Sequence, residues 1–383
     1  MELVRACVLK GIPEVSELEK GMDFRKIEYR KEVFMRFYKF QMGFLIQPGL
    51  VYLFLPELAK SKSWTMEQRF WAAFLEGCTE NPCTVWAIMQ FFDNLPRDEQ
   101  TFNAFKKWHS ENWRLLDYDR DCRYNKFHLP EQVDSYRNLL RDFTQEEFFG
   151  KILYDPDPTK WFDNLWQAET SLYKFGRLTS WSGLEFVKIL SGYDFKWSSL
   201  MMSDLNGSKS HRNGCLRVMG RDDLEWWKEA NNGVTTHSKE LCEATEYYGR
   251  RLTEELKERY KNETWSKYIG YETVESTLCA FKNCFHGERY PNVYTDMSYN
   301  RIKKAERLWG DRVDFSIFWK IREEKLPEKL LLEKNPNDPG LVPLKQEWFK
   351  KTGQLPMLSV MDPVFECDWD TNYYGDEVDT FFN

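Results

Sequence analysis

Apolar side chains recur at the spacing of an α-helix along most of this 383-residue chain, and that periodicity limits the folds it can form. The segment from Asp23 to Phe44 is the clearest case, because its apolar side chains fall on one helical stripe: Ile27, Val33, Phe34, Phe37, Phe40 and Phe44. The alternation of apolar and polar residues that marks β-strands is scarce. The sequence therefore predicts a mainly α protein, a bundle-like globular arrangement of many helices with few or no strands.

Helix boundaries can be predicted from capping residues. Thr65 and Gln68 are spaced as a capping box, which predicts that a helix starts there, and Gly77 predicts its end. Asn81 and Pro82 predict the start of the next helix. Short connections between such helices favour a bundle.

Composition narrows the class of protein. The chain is 42% hydrophobic and 16% aromatic, which is enough material for a large core and argues against disorder. No apolar run approaches the roughly 18 residues of a membrane span, and the first residues lack the apolar core of a signal peptide. The nine cysteines are scattered without CxxC pairs. We therefore expect a reduced, cytoplasmic setting, no membrane and no zinc site.

The net charge of −7 is a property of the C-terminal end. Residues 361–383 hold seven acidic residues and no Lys or Arg, and without them the chain has 54 acidic and 54 basic residues. The acidic balance therefore does not exclude nucleic-acid binding by the rest of the chain. A turn-rich segment, NPNDPGLVP, precedes this end. We expect a helical catalytic body at residues 1–335 and a C-terminal extension with an acidic tail at residues 336–383.

The stretch Glu272–Asp296, ETVESTLCAFKNCFHGERYPNVYTD, predicts a helix with two different faces. One face is an apolar stripe that can seat the helix in a core. The other face carries a carboxylate, a thiol, an ammonium and an imidazole, from Glu275, Cys279, Lys282 and His286. Gly287 predicts the end of the helix, and Arg289 and Asp296 follow. An amphipathic helix with a solvated face also explains the pattern, but the mixture of side chains is typical of an anion site.

A second polar stretch lies between Gly207 and Gly214. It combines hydroxyl groups with three potential cations, from Ser208, Lys209, Ser210, His211, Arg212 and Asn213. Such a glycine-bracketed loop can cradle an anion with side chains and backbone N–H groups, although a flexible polar hairpin has the same composition. It lacks the GK[ST] of a nucleotide-binding P-loop.

Several catalytic signatures are absent from the sequence. It contains no HExxH metal motif, no GxSxG nucleophile elbow and no GxGxxG dinucleotide motif after a strand. We therefore expect no metal and no other cofactor.

Four segments together resemble the amino acid:DNA transferases of bacteriophages, thymidine-hypermodifying enzymes related to the putrescinyl- and glutamyl-thymine pyrophosphorylases. The segments are EYRKEVFMRFYKF, WTMEQRFWAAFLEG, GSKSHRNG and the stretch from Glu272 to Asp296. The resemblance covers most of residues 23–310. It implies a substrate of double-stranded phage DNA that carries phosphorylated 5-hydroxymethyluracil, in the cytoplasm of an infected host cell. A free amino acid or amine would replace the phosphate or pyrophosphate.

This chemistry assigns expected roles to the marked side chains. Cations must neutralise the departing group, and the candidates are Lys209, His211, Arg212, Lys282 and Arg289. A base must take a proton from the incoming nucleophile, and the candidates are Glu275, His286 and Asp296. Further contacts with phosphate or DNA are expected from Ser208, Asn213, Arg36 and Arg177. Enclosing the reacting methylene can also require the base to flip out of the duplex onto aromatic side chains.

Two other functions remain open at this point. A helical glycosylase-like enzyme would also act on a DNA base, but the sequence contains no convincing helix-hairpin-helix. A non-catalytic helical DNA-binding or scaffold protein would have no need of a reactive helix face beside an anion loop.

Overall fold

The computed structural model describes residues 27–45, 51–119, 122–153, 155–204, 209–226, 236–285, 293–326 and residue 331. These residues form fourteen α-helices and six short 3-10 helices, and contain no β-strand. The prediction of a mainly α fold is therefore confirmed. The α-helices are α1 (Ile27–Leu45), α2 (Val51–Ser61), α3 (Met66–Thr79), α4 (Pro82–Met89), α5 (Glu99–Asn112), α6 (Leu129–Leu140), α7 (Gln145–Leu153), α8 (Trp161–Thr170), α9 (Arg177–Ser191), α10 (Lys209–Val218), α11 (Lys239–Arg259), α12 (Tyr271–Phe285), α13 (Val293–Trp309) and α14 (Ser316–Lys325).

Contacts between Cα atoms divide the chain into two compact units. The first unit contains α1, α10, α11 and α12, which come from the segments Met1–Pro48 and Ser199–Asp296. The second contains α2 to α9, α14 and α13 from Met297 onward. The expected C-terminal extension at residues 336–383 lies outside the described residues, so a boundary near residue 335 stays a prediction. Nowhere in the described ranges is a helix long and apolar enough to cross a membrane.

The apolar stripe of α1 packs against α12 in the core of the first unit. The ring centroids of Phe34 and Phe37 lie 5.4 and 5.7 Å from that of Phe281. The hydroxyl oxygens of Tyr38 and Thr273 are 2.6 Å apart and share a hydrogen bond. The helical period seen in the sequence thus selects the face of α1 that meets α12.

A group of charged side chains lies on another face of α1, where Glu32 and Arg36 are buried. Arg36 donates from Nε to Glu32 Oε1 at 3.1 Å, and Arg259 of α11 donates two hydrogen bonds to the same carboxylate, at 2.5 and 2.6 Å. Burial acts to raise the pKa of Glu32, but the hydrogen bonds and charges of Arg259 and Arg36 outweigh it and hold that pKa below its usual value. The sequence predicted Arg36 as a DNA contact, whereas its side chain is 2% exposed and paired within this group.

Helix α3 of the second unit begins where the sequence predicts and ends later. Thr65 Oγ1 accepts a hydrogen bond from Gln68 N at 3.3 Å, and Thr65 N donates to Gln68 Oε1 at 3.0 Å, which completes the capping box. The predicted end at Gly77 is wrong, because the helix continues to Thr79. A Cβ at Gly77 would lie 3.0 Å from the Cα of Gly183, so this glycine allows α3 to pack closely on α9.

The crossing of α3 and α9 also buries a carboxyl group. Glu169 of α8 is 3% exposed, and its Oε2 lies 3.4 Å from the position that a Cβ would take at Gly183. Burial raises the pKa of Glu169 to about 8. This side chain is therefore mostly protonated at neutral pH.

Candidate active site

The candidate site is built where α10 crosses α12 in the first unit. A Cβ at Gly214 would lie 2.1 Å from the carbonyl oxygen of Leu278, so only glycine allows the two backbones to come this close. The sequence predicted a glycine-bracketed loop at residues 207–214. That prediction is wrong from Lys209 onward, because α10 begins there and Gly214 lies inside it, where it serves the helix crossing. The crossing brings the two polar stretches of the sequence together.

Three side chains form a continuous polar row across the two helices. Lys282 Nζ donates a hydrogen bond to Ser210 Oγ at 2.9 Å, and Ser210 Oγ lies 2.9 Å from Cys279 Sγ. Because the serine oxygen accepts from Lys282, its own proton can point toward the sulfur. Lys282 is 6% exposed, whereas Ser210 and Cys279 are half-buried. The row therefore joins a buried cation to a half-buried cysteine.

A carboxylate and an imidazole form a second pair across the same crossing. His211 Nδ1 lies 2.9 Å from Glu275 Oε1, and the two residues are 1% and 7% exposed. A carboxylate that accepts from Nδ1–H fixes the orientation of the ring and makes Nε2 the basic nitrogen of the neutral imidazole. General bases commonly use this arrangement.

Arg212 is turned into the interior of the first unit. Its guanidinium donates to His237 Nδ1 at 3.0 Å and to the carbonyl oxygens of Met202 and Asp204 at 2.7 and 2.6 Å. His237 Nε2 in turn lies 2.8 Å from the carbonyl oxygen of Leu224. Burial lowers the pKa of His237, which agrees with a neutral ring that accepts at Nδ1. Arg212 thus holds the segments on either side of α10 together, and it is 0% exposed.

Lys209 and Asn213 both contact Trp226. The Lys209 ammonium lies 3.6 Å from the centroid of the indole. The Asn213 side chain donates to the backbone carbonyl oxygen of Trp226 at 2.8 Å and accepts from the backbone N–H of Trp226 at 3.0 Å. Lys209 is exposed and Trp226 is half-buried, so a cation and an aromatic ring meet at the edge of α10.

The remaining predicted site residues are not brought into this cluster by the described structure. Arg36 belongs to the buried ion pairs of α1. Arg177 begins α9 in the second unit, where its guanidinium lies 4.7 Å from the ring centroid of Trp181. Ser208, His286 and Arg289 lie outside the described residues, and Asp296 lies in α13 with its side chain undescribed. Their proposed roles stay predictions.

Ser210 and Cys279 belong to the two polar stretches that the sequence marks, but no role was predicted for either of them or for His237. A signal existed for the first two, because Ser210 lies in the polar stretch and Cys279 shares a helix face with Glu275 and Lys282. No local pattern marks His237, whose place depends on the tertiary contact with Arg212. Among the residues that the structure describes, no group of three or more His, Cys, Asp or Glu side chains could hold a metal ion.

The chain is similar to known proteins over most of its length. The family model described as "Amino acid:DNA transferase" matches residues 54–290, which include both α10 and α12. A serinyltransferase of Salmonella phage ViI is 30% identical to this chain over 289 residues, which are 74% of this chain and 69% of that protein. No solved structure matches the chain. With a family match over more than half of its length, the chain belongs to the amino acid:DNA transferases, enzymes named for transferring an amino acid to DNA.

Proposed function

We propose that this protein transfers an amino acid or amine to phosphorylated 5-hydroxymethyluracil in double-stranded phage DNA, in the cytoplasm of an infected host cell. The phosphate or pyrophosphate on the exocyclic methylene is the leaving group. Membership of the amino acid:DNA transferase family supports the reaction class. The observation that carries the finer proposal is the α10–α12 crossing, which places a cation, a hydroxyl, a thiol and a carboxylate–imidazole pair side by side.

Lys282 is the proposed electrostatic partner of the leaving group. Its ammonium donates a hydrogen bond to Ser210 Oγ at 2.9 Å, which places the charge at the crossing of the two helices. Because the side chain is mostly buried, its charge acts in a medium of lower effective dielectric constant than water. A fixed cation there stabilises the oxygen that gains charge as the C–O bond breaks. Lys209, exposed beside Trp226, is a second cation for the phosphate groups or the DNA backbone.

His211 is the proposed base, oriented by Glu275. The amino group that attacks the methylene must lose a proton during the reaction. Glu275 holds the His211 ring through Nδ1, so the other ring nitrogen takes that proton. The sequence-based candidates His286 and Asp296 follow α12 in the chain, and they stay alternatives for the same role.

Mass spectrometry of nucleosides tests the proposal. A duplex with 5-(pyrophosphoryloxymethyl)uracil is incubated with the protein and a mixture of common amino acids, then digested to nucleosides. We expect a nucleoside that carries an amino acid on its C5 methylene to appear as the pyrophosphorylated one disappears. A duplex with unphosphorylated 5-hydroxymethyluracil should give no product, because hydroxide is a poor leaving group.

Other products would contradict the proposal and point elsewhere. Abasic sites would indicate a glycosylase-like enzyme. Tight duplex binding with no change in any nucleoside would indicate a DNA-binding or scaffold protein.

A Glu275→Gln variant tests the proposed base. If it keeps the wild-type fold, it should make product more slowly, because the neutral amide stabilises a protonated imidazole less well than the carboxylate does.

A further inference from the structure

Cys279 differs from the other cysteines whose side chains the structure describes. Cys78, Cys83, Cys122, Cys215 and Cys242 are buried, whereas Cys279 is half-buried. Burial raises the pKa of the Cys215 thiol, in the same unit, which keeps it protonated and unreactive. Cys279 instead reaches solvent on the face of α12 that carries Glu275 and Lys282.

The polar row described above is directed at this sulfur. Lys282 donates to Ser210 Oγ at 2.9 Å, and the serine hydroxyl can donate in turn to Cys279 Sγ, which lies 2.9 Å from the same oxygen. The thiolate is the nucleophilic form of cysteine, and a hydroxyl beside the sulfur can orient it toward an electrophile.

We propose that Cys279 is a covalent nucleophile that adds to C6 of the uracil ring during the transfer, an inference that rests on the proposed function. The C5=C6 bond of uracil is conjugated with the C4 carbonyl, so C6 accepts nucleophiles. Addition forms a bond between Sγ and C6 and moves the electron pair of the double bond into an enolate through C5, C4 and O4. The enolate then expels the pyrophosphate from the methylene, and the electron pair of the C–O bond leaves with it.

The remaining steps restore the ring and the enzyme. The amino group adds to the exocyclic C5 methylene, which forms the C–N bond and regenerates the enolate. The amine proton passes to His211, the proposed base. The enolate then re-forms the C5=C6 bond and expels Cys279 as the thiolate. One pyrophosphate is released for each amino acid attached, and no oxidant or reductant is consumed.

This route explains why a thiol lies among acid–base groups. Direct displacement at the methylene would use Lys282 as the cation and His211 as the base. It would give Ser210 and Cys279 no chemical role. Ser210 is a positioning residue in this scheme, because it acts on the sulfur.

The test uses the full-length protein and the duplex with 5-(pyrophosphoryloxymethyl)uracil. Single-turnover transfer is measured for wild type, Cys279→Ala and the matched control Cys242→Ala, which removes a buried thiol from the same unit. We expect Cys279→Ala to lose about 10³-fold or more in rate, as enzymes do when a covalent nucleophile is removed. Cys242→Ala should stay near the wild-type rate. Wild-type protein quenched with denaturant during turnover should carry a nucleotide on the peptide that contains Cys279.

A second measurement separates a chemical role from a packing role. With deuterium at C6 of the uracil, wild-type protein should show an inverse secondary isotope effect, because C6 changes from trigonal to tetrahedral. A wild-type rate in Cys279→Ala would overturn the proposal. The proposal is also overturned if wild-type protein transfers the amino acid with neither a Cys279 adduct nor an isotope effect at C6. This outcome decides the question even if Cys279→Ala does not fold. Absence of any transfer by wild type would instead contradict the proposed function itself.

Discussion

At the scale of the residue, side chains that are adjacent in the sequence make unrelated contacts. His211 and Arg212 are adjacent in α10, and helical geometry turns their side chains about 100° apart. His211 therefore faces Glu275 across the helix crossing, and Arg212 binds His237 and two backbone carbonyl groups in the interior. The sequence grouped both residues as phosphate ligands because composition gives residue types and not the direction of a side chain.

Acid should weaken the first unit through His237. Burial holds the pKa of His237 below its ordinary value of 6.5 in the folded protein, so the unfolded chain binds a proton more readily. The stabilisation is complete above about pH 6.5 and is lost as the pH falls toward the lower folded pKa. Protonation would also place a positive ring against Arg212. A His237→Gln variant keeps an acceptor and a donor without titrating.

Thermal melts from neutral pH to about pH 5 check this prediction. The melting temperature of wild type should fall over this range by more than that of His237→Gln. Parallel curves for the two proteins would show that His237 does not carry the acid sensitivity.

At the scale of the element, features that depend on one helix could be predicted from the sequence, whereas glycine-mediated crossings between two helices could not. The capping box at Thr65 and the stripe of α1 were predictable, because both depend on neighbours within a helix. The roles of Gly77 and Gly214 were not, since each depends on a second helix that is distant in sequence. The sequence marked both polar stretches of the site, but only the crossing of α10 and α12 shows which side chains meet.

Gly214→Ala should disrupt that crossing. The new Cβ would lie 2.1 Å from a backbone oxygen, so the helices must separate. We expect a loss of about 2 kcal/mol or more in the free energy of unfolding, together with slower transfer. The matched control is Gly249→Ala in α11, where the Cβ would meet only the ends of flexible Leu and Met side chains. At position 249 the higher helix propensity of Ala contributes about 1 kcal/mol to the free energy of unfolding, which offsets the cost of repacking those side chains. Equal stability of the two variants in urea titrations would contradict this explanation.

Glu169 gives the second unit the opposite pH dependence to His237. Its pKa rises from 4.5 to about 8 on folding, so the folded state keeps a proton that the unfolded chain releases. Stability should therefore fall as the pH rises from 4.5 through about 8, by about 1.4 kcal/mol for each unit of pKa difference. Glu169→Gln removes this titration and should melt above wild type at alkaline pH. Glu111→Gln, at an exposed position of α5, should not. A melting temperature of Glu169→Gln that follows wild type across this range would refute the assignment.

At the scale of the whole molecule, charge is distributed unevenly along the chain. Residues 361–383 carry seven acidic residues and no basic ones, and they lie outside the described residues. If they compete with DNA for cations of the body, their deletion should strengthen nonspecific duplex binding at low salt and steepen its dependence on salt. Binding titrations of the truncated and full-length proteins at several salt concentrations measure both effects. An unchanged slope would remove the competition hypothesis.

Single-turnover transfer by a Lys282→Met variant tests most directly the central claim, that the α10–α12 crossing is the active site of this amino acid:DNA transferase. Met keeps most of the volume and removes the charge, so we expect the rate to fall by about 10²-fold or more, while duplex binding weakens far less. Lys257→Met is the control, because Lys257 is an exposed lysine in α11 that pairs with Glu254 at 2.8 Å. Lys282→Arg retains a positive charge. It should recover part of the rate if the buried position accepts the larger guanidinium. A Lys282→Met protein that transfers at the wild-type rate would contradict the account.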